Sequence, residues 1–141
     1  MKHLLVAQSP WLIQLGLSII RVGIGVLFIG HGYLKFARGS EELIWTGQQM
    51  ANLGVTFAPL FWGICAMLAE LVGGMSLTLG LGTRLLTPLM AFTMLVAITY
   101  HVKKGDSYGY ISFPLSQLII FIGLFIAGSG DYSLDHLFFG K

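Results

Sequence analysis

The sequence predicts an all-α integral membrane protein, a four-helix bundle with a short amphipathic surface helix in its first loop. Hydrophobic residues make up 55% of the 141 residues and charged residues only 10%, whereas a typical soluble domain carries about 25% charged residues. Mean hydropathy is +0.81, and four apolar stretches approach or reach the length that crosses a bilayer. One membrane domain, residues 1–141, is the natural count for a chain of this length.

The predicted fold consists mainly of four membrane spans. They run from about residue 11 to 33, 58 to 81, 85 to 100 and 113 to 128. A helical span takes roughly 17–25 residues, so the third and fourth spans must borrow flanking residues. Tryptophan and tyrosine lie at several ends, as expected at a membrane interface. The segment before Trp11 is too short and interrupted for a signal-peptide core, so we expect the first helix to be retained.

The connections set the topology. The long connection, "ARGSEELIWTGQQMANLGVTFAP", spaces its apolar residues as a weakly amphipathic surface helix does. The second, "GLGTR", is a tight turn in which the glycines can end a helix. Four spans put both termini on one side and the long loop on the other. Lysine and arginine flank both sides, so the orientation in the membrane stays open.

An arginine interrupts the first span, "GLSIIRVGIGVLFIGHG". At 100° per residue, Arg21 shares a stripe with small and polar residues, which in a bilayer faces other helices. Glu70 lies on a similar stripe near the middle of the second span. A charge at that depth costs roughly 2.5–3.5 kcal/mol on insertion scales, so the sequence predicts an interhelical ion pair between Arg21 and Glu70. Whether such a pair serves structure or chemistry is open.

A second group of polar residues is predicted at the long-loop end, where the first and third spans end and the fourth begins. The candidate cofactor-binding residues are His31, Lys35, Tyr100, His101 and Gln117. Hydrogen-bond donors beside apolar helices suit a lipophilic ligand with a polar head, such as a quinone. Imidazole exchanges protons near neutral pH, which makes His101 the candidate catalytic residue. The alternative is an interfacial belt in which these side chains reach toward water.

Several function classes are disfavoured. The single cysteine, Cys65, excludes an intrachain disulfide relay and is expected to be a small packing residue. Metal-binding, nucleotide-binding and nucleophile motifs are absent from the sequence, so no metal is expected. A net charge of +2 with scattered basic residues does not indicate a nucleic-acid partner.

The ordered segments "RVGIGVLFIGHGYLKF", "WGICAMLAELVGGMSLTLGLGTRL", "MLVAITYH" and "GSGDYSLDHL" resemble the DoxX family of small bacterial membrane proteins. The resemblance implies a four-helix bundle in the bacterial inner membrane. Some relatives are subunits of a thiosulfate:quinone oxidoreductase, and others resemble partners of thiol-stress and superoxide-handling enzymes. The recurring polar positions of the family fall on Arg21, His31, Gly32, Lys35, Glu70, Arg84, His101, Ser133 and Asp135.

Three functions remain open at this point. The first is the membrane subunit of a quinone-linked redox complex, which uses a reduced sulfur or thiol donor and a partner protein. The second is a non-catalytic scaffold or assembly factor, and the third is a transporter of small solutes or lipid. Membrane lipid is an expected partner in each case, and the sequence leaves the electron donor, the partner protein and self-association undetermined.

Overall fold

The computed structural model describes residues 9–140, and in this range the chain forms helices and no strands. The helices are α1 (Pro10–Arg38), α2 (Ser40–Gln48), α3 (Pro59–Leu79), α4 (Thr83–Lys104), α5 (Tyr108–Ala127) and α6 (Leu134–Phe139). A 3-10 turn, Gln49–Leu53, follows α2. Helices α1, α3, α4 and α5 are each long and apolar enough to cross a membrane. The predicted all-α four-helix bundle is confirmed, and α2 is the predicted helix of the first loop.

Helix α1 is longer than the span predicted for it. Its 29 residues cover about 43 Å at 1.5 Å per residue, against a hydrocarbon core of about 30 Å. It begins at Pro10, where a missing backbone N–H costs nothing. It ends at Arg38 and is followed by Gly39, whose φ of 81° lies outside the range that other residues adopt easily. The extra turns carry Lys35 to the long-loop end of the bundle.

Helices α1 and α3 pack closely and antiparallel. A Cβ atom added to Gly25 would lie 2.7 Å from the carbonyl oxygen of Gly74, and one added to Gly32 would lie 2.6 Å from the backbone nitrogen of Leu71. Small residues therefore let the two backbones approach, as is common between helices in membranes. The small-residue stripe of α1 does face α3.

An apolar core joins the four long helices, from Phe28 in the middle of α1 to Leu77 in the last turn of α3. Its buried members are Phe28, Leu77, Met90, Met94, Phe121 and Leu124. The rings of Phe28 and Phe121 meet edge to face, with centroids 5.0 Å apart. This core separates the two ends of the bundle, so each end can be described as a site of its own.

Candidate functional site

Arg21 and Glu70 do not form the predicted ion pair. Arg21 hydrogen-bonds backbone carbonyls, whereas Glu70 binds Lys35. The reason is the stagger of the two helices, which places Gly80 rather than Glu70 against the Arg21 guanidinium. Ten residues separate Gly80 from Glu70, about 15 Å along the helix axis. The prediction was wrong because it assumed that the centres of the two spans lie at one depth.

Arg21 instead holds the end of the bundle near the α3–α4 turn. The guanidinium donates from Nη1 to the oxygens of Leu77 and Thr78, the latter at 3.3 Å, and from Nη2 to that of Tyr132 at 2.7 Å. Leu77 and Thr78 lie in the last turn of α3, where free carbonyls favour a cation. Arg21 thus ties α3 to the segment before α6.

The other family positions at this end also stabilise backbone groups. The Asp135 carboxylate accepts hydrogen bonds from the N–H groups of Gly82 and Thr83, at 2.8 and 3.4 Å, and so caps the start of α4. Ser133 caps α6 by accepting from the His136 N–H. Arg84 donates to the Ile126 carbonyl at 3.1 Å, in the last turn of α5. These contacts close this end of the bundle.

The long-loop end contains an open cleft between α3 and α4. Its volume is about 560 Å³, and α2 with the 3-10 turn closes it at the end of the bundle. Its walls are mainly apolar side chains, including Leu68, Val72, Leu89 and Phe92, which are themselves exposed. Because these residues lie on the outer surface of two membrane-spanning helices, the cleft opens sideways to the surface that lipid covers.

Lys35 provides a cation at the polar end of the cleft. Its Nζ forms an ion pair with Glu70, and the side chains of the two residues are 21% and 5% exposed, respectively. An ammonium group carries three N–H donors, and among residues 9–140 the Lys35 ammonium has one hydrogen-bond partner. Donors therefore remain for a ligand in the cleft.

His101 and Tyr100 complete this polar end. The Nδ1 atom of His101 lies 2.8 Å from Oδ2 of Asp106, in the loop between α4 and α5. The imidazole lies between the rings of Tyr100 and Tyr110, with centroid distances of 5.0 and 6.1 Å. The hydrogen bond to His101 lowers the pKa of the Asp106 carboxyl below its usual range, and the nearby charge of Lys104 acts in the same direction.

The structure brings three of the five predicted ligand residues to the cleft: Lys35, Tyr100 and His101. It does not bring His31 or Gln117 there. The His31 ring packs on Phe28 and Phe113, with centroid distances of 5.6 and 6.0 Å. Gln117 is buried on α5, whose residues do not line the cleft. Knowing helix directions places these residues at one end of the bundle but does not show which helices border the cleft.

One residue of the cleft wall and one residue that contacts His101 from outside the lining were missed from the sequence. Cys65 was expected to be a packing residue, but its side chain is exposed and lies on the cleft wall. Asp106 was not a candidate, although a carboxylate just after the "HVKKG" turn is a signal that could have identified it. Among residues 9–140, no group of three or more His, Cys, Asp or Glu side chains is placed to hold a metal ion.

The fold and the cleft define a multi-pass membrane protein with four spanning helices and a lipid-facing cleft that ends in paired charges. The chain belongs to the DoxX family, whose profile matches residues 16–102, more than half of its length. The match contains Lys35, Glu70, Tyr100 and His101, and ends before Asp106. Searches of curated proteins and of solved structures found no significant match.

Proposed function

We propose that this protein binds a quinone in the cleft between α3 and α4 and serves as the membrane subunit of a quinone-linked redox complex. In this proposal it lies in a bacterial inner membrane, and a partner protein delivers electrons from a reduced sulfur compound or thiol. The observation that carries the proposal is the cleft itself, which is apolar where it faces lipid and polar where it is closed.

The dimensions of the cleft suit such a ligand. Small-molecule sites commonly measure about 300–1,000 Å³, and this cleft is about 560 Å³. The apolar walls of α3 and α4 can flank an isoprenoid tail that continues into lipid. Lys35, Tyr100 and His101 lie at the closed end, where the ring oxygens would need hydrogen-bond donors.

The charges at the closed end favour an uncharged head group. Lys35 is paired with Glu70, and His101 is hydrogen-bonded to Asp106. An anionic head would approach two carboxylates, and a cationic head would compete with Lys35 for Glu70. A carbonyl oxygen needs only the spare donors of Lys35, so a neutral hydrogen-bond acceptor fits this site best.

A bound quinone supplies an acceptor for two electrons and two protons. Oxidation of two thiols to a disulfide releases the same number of electrons and protons, so the two half-reactions balance. With Cys65 as its single cysteine, this chain cannot form the disulfide itself, which assigns that step to the partner. The residues of this chain bind the ring: Lys35 donates a hydrogen bond, and His101 exchanges a proton.

The same geometry gives less support to the other two functions. A transporter of polar solutes needs a polar route across the membrane, but the core of Phe28, Phe121 and their neighbours is apolar and buried, which disfavours transport of solutes but not of lipid. Of the glycines that suggested a scaffold, Gly25, Gly32 and Gly74 are used in packing α1 on α3. A Cβ atom added to Gly16, Gly23 or Gly30 of α1 would meet no neighbour within 4 Å in the described part of the chain, so the support for a scaffold is reduced but not removed.

Cys65 offers a direct test, because it is the chain's single cysteine and lies on the cleft wall. Purified protein in detergent is treated with N-ethylmaleimide with and without decylubiquinone, and alkylation is followed by intact-protein mass spectrometry. At a quinone concentration ten times its Kd the free fraction falls to about one tenth. We therefore expect alkylation of Cys65 to slow by about tenfold.

The matched control carries Cys65→Ala with Val26→Cys, which moves the thiol to an exposed position of α1 outside the cleft. Its alkylation should be insensitive to decylubiquinone. Dodecanol provides an alkyl chain of similar length without the ring. No protection by decylubiquinone, or equal protection by dodecanol, would overturn the proposal and leave a groove for ordinary lipid.

A further inference from the structure

We infer that Asp106 is a positioning residue that fixes the tautomer of His101, so that Nε2 is the atom that exchanges a proton with a ligand in the cleft. The inference rests on the proposed quinone site and adds a residue to it. It starts from the hydrogen bond between His101 Nδ1 and Asp106 Oδ2, which is 2.8 Å long.

The chemistry of the two partners determines the tautomer. An ionised carboxylate only accepts hydrogen bonds, so the shared proton belongs to Nδ1 of the imidazole. In the neutral ring Nε2 then carries the free lone pair. Within residues 9–140 the Nε2 atom has no hydrogen-bond partner, and it is not one of the unpartnered polar side-chain atoms that are buried. Because His101 lines the cleft, Nε2 is available to a ligand there.

The backbone explains why Asp106 reaches His101. Gly105 ends α4 with a φ of 75°, a left-handed conformation that suits glycine. The chain then folds back, and the Asp106 N–H donates to the His101 carbonyl at 3.0 Å. The same two residues are therefore joined by a backbone and a side-chain hydrogen bond, which fixes the carboxylate beside the ring.

Aromatic rings restrict the imidazole further. Tyr110 stacks on it with an interplanar angle of 20°, and Tyr100 meets it edge to face. Lys104 is a further charged group at this site, with Nζ 3.6 Å from the Asp106 carboxylate, and Lys35 lines the same cleft. The contacts with Asp106, Tyr110 and Tyr100 restrict the His101 ring, so Nε2 points in one direction, as a proton-exchanging group requires.

The opposite end of the molecule provides a natural comparison. His136 Nδ1 and Asp131 Oδ1 are 3.9 Å apart, too far for a hydrogen bond, and both side chains are more than half exposed. This pair has the same residue types without a fixed tautomer. It serves as the matched control.

The test uses the purified full chain in detergent with histidine labelled with nitrogen-15. The His101 signals are assigned by their loss in His101→Gln. We expect wild-type protein to show the Nδ1–H tautomer, and Asp106→Ala to show a mixture of tautomers. The same variant should bind decylubiquinone about tenfold more weakly in the Cys65 protection assay, which is the effect of about one hydrogen bond.

Asp106→Glu should restore both the tautomer and the affinity, whereas Asp131→Ala should change neither. An unchanged His101 tautomer in Asp106→Ala, or unchanged affinity despite a changed tautomer, would overturn the inference. Failure of the proposed quinone site would give a different result. In that case decylubiquinone would not slow the alkylation of Cys65 even in the wild-type protein.

Discussion

Each end of the bundle contains a cation on α1, buried at one end and partly exposed at the other, and the two cations have different roles. At the α3–α4 turn, Arg21 donates to three backbone carbonyls through Nη1 and Nη2 and is almost fully buried, while its Nε has no partner among residues 9–140. At the long-loop end, Lys35 is satisfied by one carboxylate and faces an open cleft. The Arg21 guanidinium stabilises the folded backbone, whereas the Lys35 ammonium keeps hydrogen-bond donors free for a ligand. A buried charge in a membrane helix therefore indicates a function only after its partners are known.

The two residue types suit these two roles. A guanidinium is planar and carries five donors in a fixed fork, so it can bind several carbonyls at once. An ammonium is a compact charge on a flexible chain, so it can pair with Glu70 and still turn toward a ligand. This comparison leads to predictions that differ between the ends.

The largest effect is expected for Arg21→Met. The change leaves the carbonyls of Leu77 and Tyr132 without their donor, and each buried carbonyl that loses its partner costs about 1–3 kcal/mol. We expect a loss of unfolding free energy of roughly 3 kcal/mol or more, measured by SDS titration in mixed micelles.

Arg21→Lys sharpens this test. A single ammonium group cannot reproduce the two separate guanidinium nitrogens that donate to the carbonyls of Leu77 and Tyr132. This variant should recover less than half of the loss. The comparison between the two ends would fail if Arg21→Met unfolded like the wild type, or if lysine restored full stability.

A smaller effect is expected for Glu70→Gln at the open end. The Lys35 ammonium loses its counter-charge, but its side chain is 21% exposed and can turn toward water. We expect a loss of about 1–3 kcal/mol in the same titration, the usual cost of one broken interaction to a charged group.

The double variant Lys35→Met with Glu70→Leu separates stability from binding. Replacing a buried ion pair by apolar residues of similar size is often neutral for stability. This variant should therefore unfold like the wild type, yet lose the protection of Cys65 by decylubiquinone. A loss as large as that of Arg21→Met in either variant would show that Lys35 and Glu70 are structural in the same way as Arg21.

The smallest effect is a pH dependence at the open end. The pKa of Asp106 is lowered by its hydrogen bond with His101, so the carboxylate stabilises the folded state fully above its ordinary pKa of about 4. This contribution disappears as the pH falls through the lower pKa of the folded state. We expect the difference in Tm between wild type and Asp106→Ala to shrink between pH 6 and pH 3. A difference that grows on acidification would contradict the assigned direction.

The sequence was sufficient for the fold because the bilayer imposes a strong pattern. Four apolar stretches, glycine at the α3–α4 turn and the amphipathic spacing of α2 each follow from local rules. The helix ends were predicted less accurately. Helix α1 continues to Arg38, since its later turns pack on α2 and α3 rather than follow hydropathy alone.

The site was predicted only in part, for a physical reason. Helix direction places Lys35, Tyr100 and His101 at one end, and this much follows from the sequence. The register between helices depends instead on how side chains interlock, such as Gly25 against Gly74. A stagger of ten residues changed the partner of Glu70 from Arg21 to Lys35, and no local pattern reveals such a stagger.

The contacts of Arg21 also have a consequence for biogenesis. Its carbonyl partners lie 56, 57 and 111 residues further along the chain. A polypeptide inserted into the membrane from its N-terminus therefore presents α1 long before Tyr132 has been synthesised. Nη1 can already donate to Leu77 and Thr78 once α3 has been inserted, but until Tyr132 is made Nη2 must rely on water, lipid head groups or the insertion machinery. The hydrogen bond that joins α1 to the segment before α6 therefore forms late in synthesis, after the residues around Tyr132 have emerged.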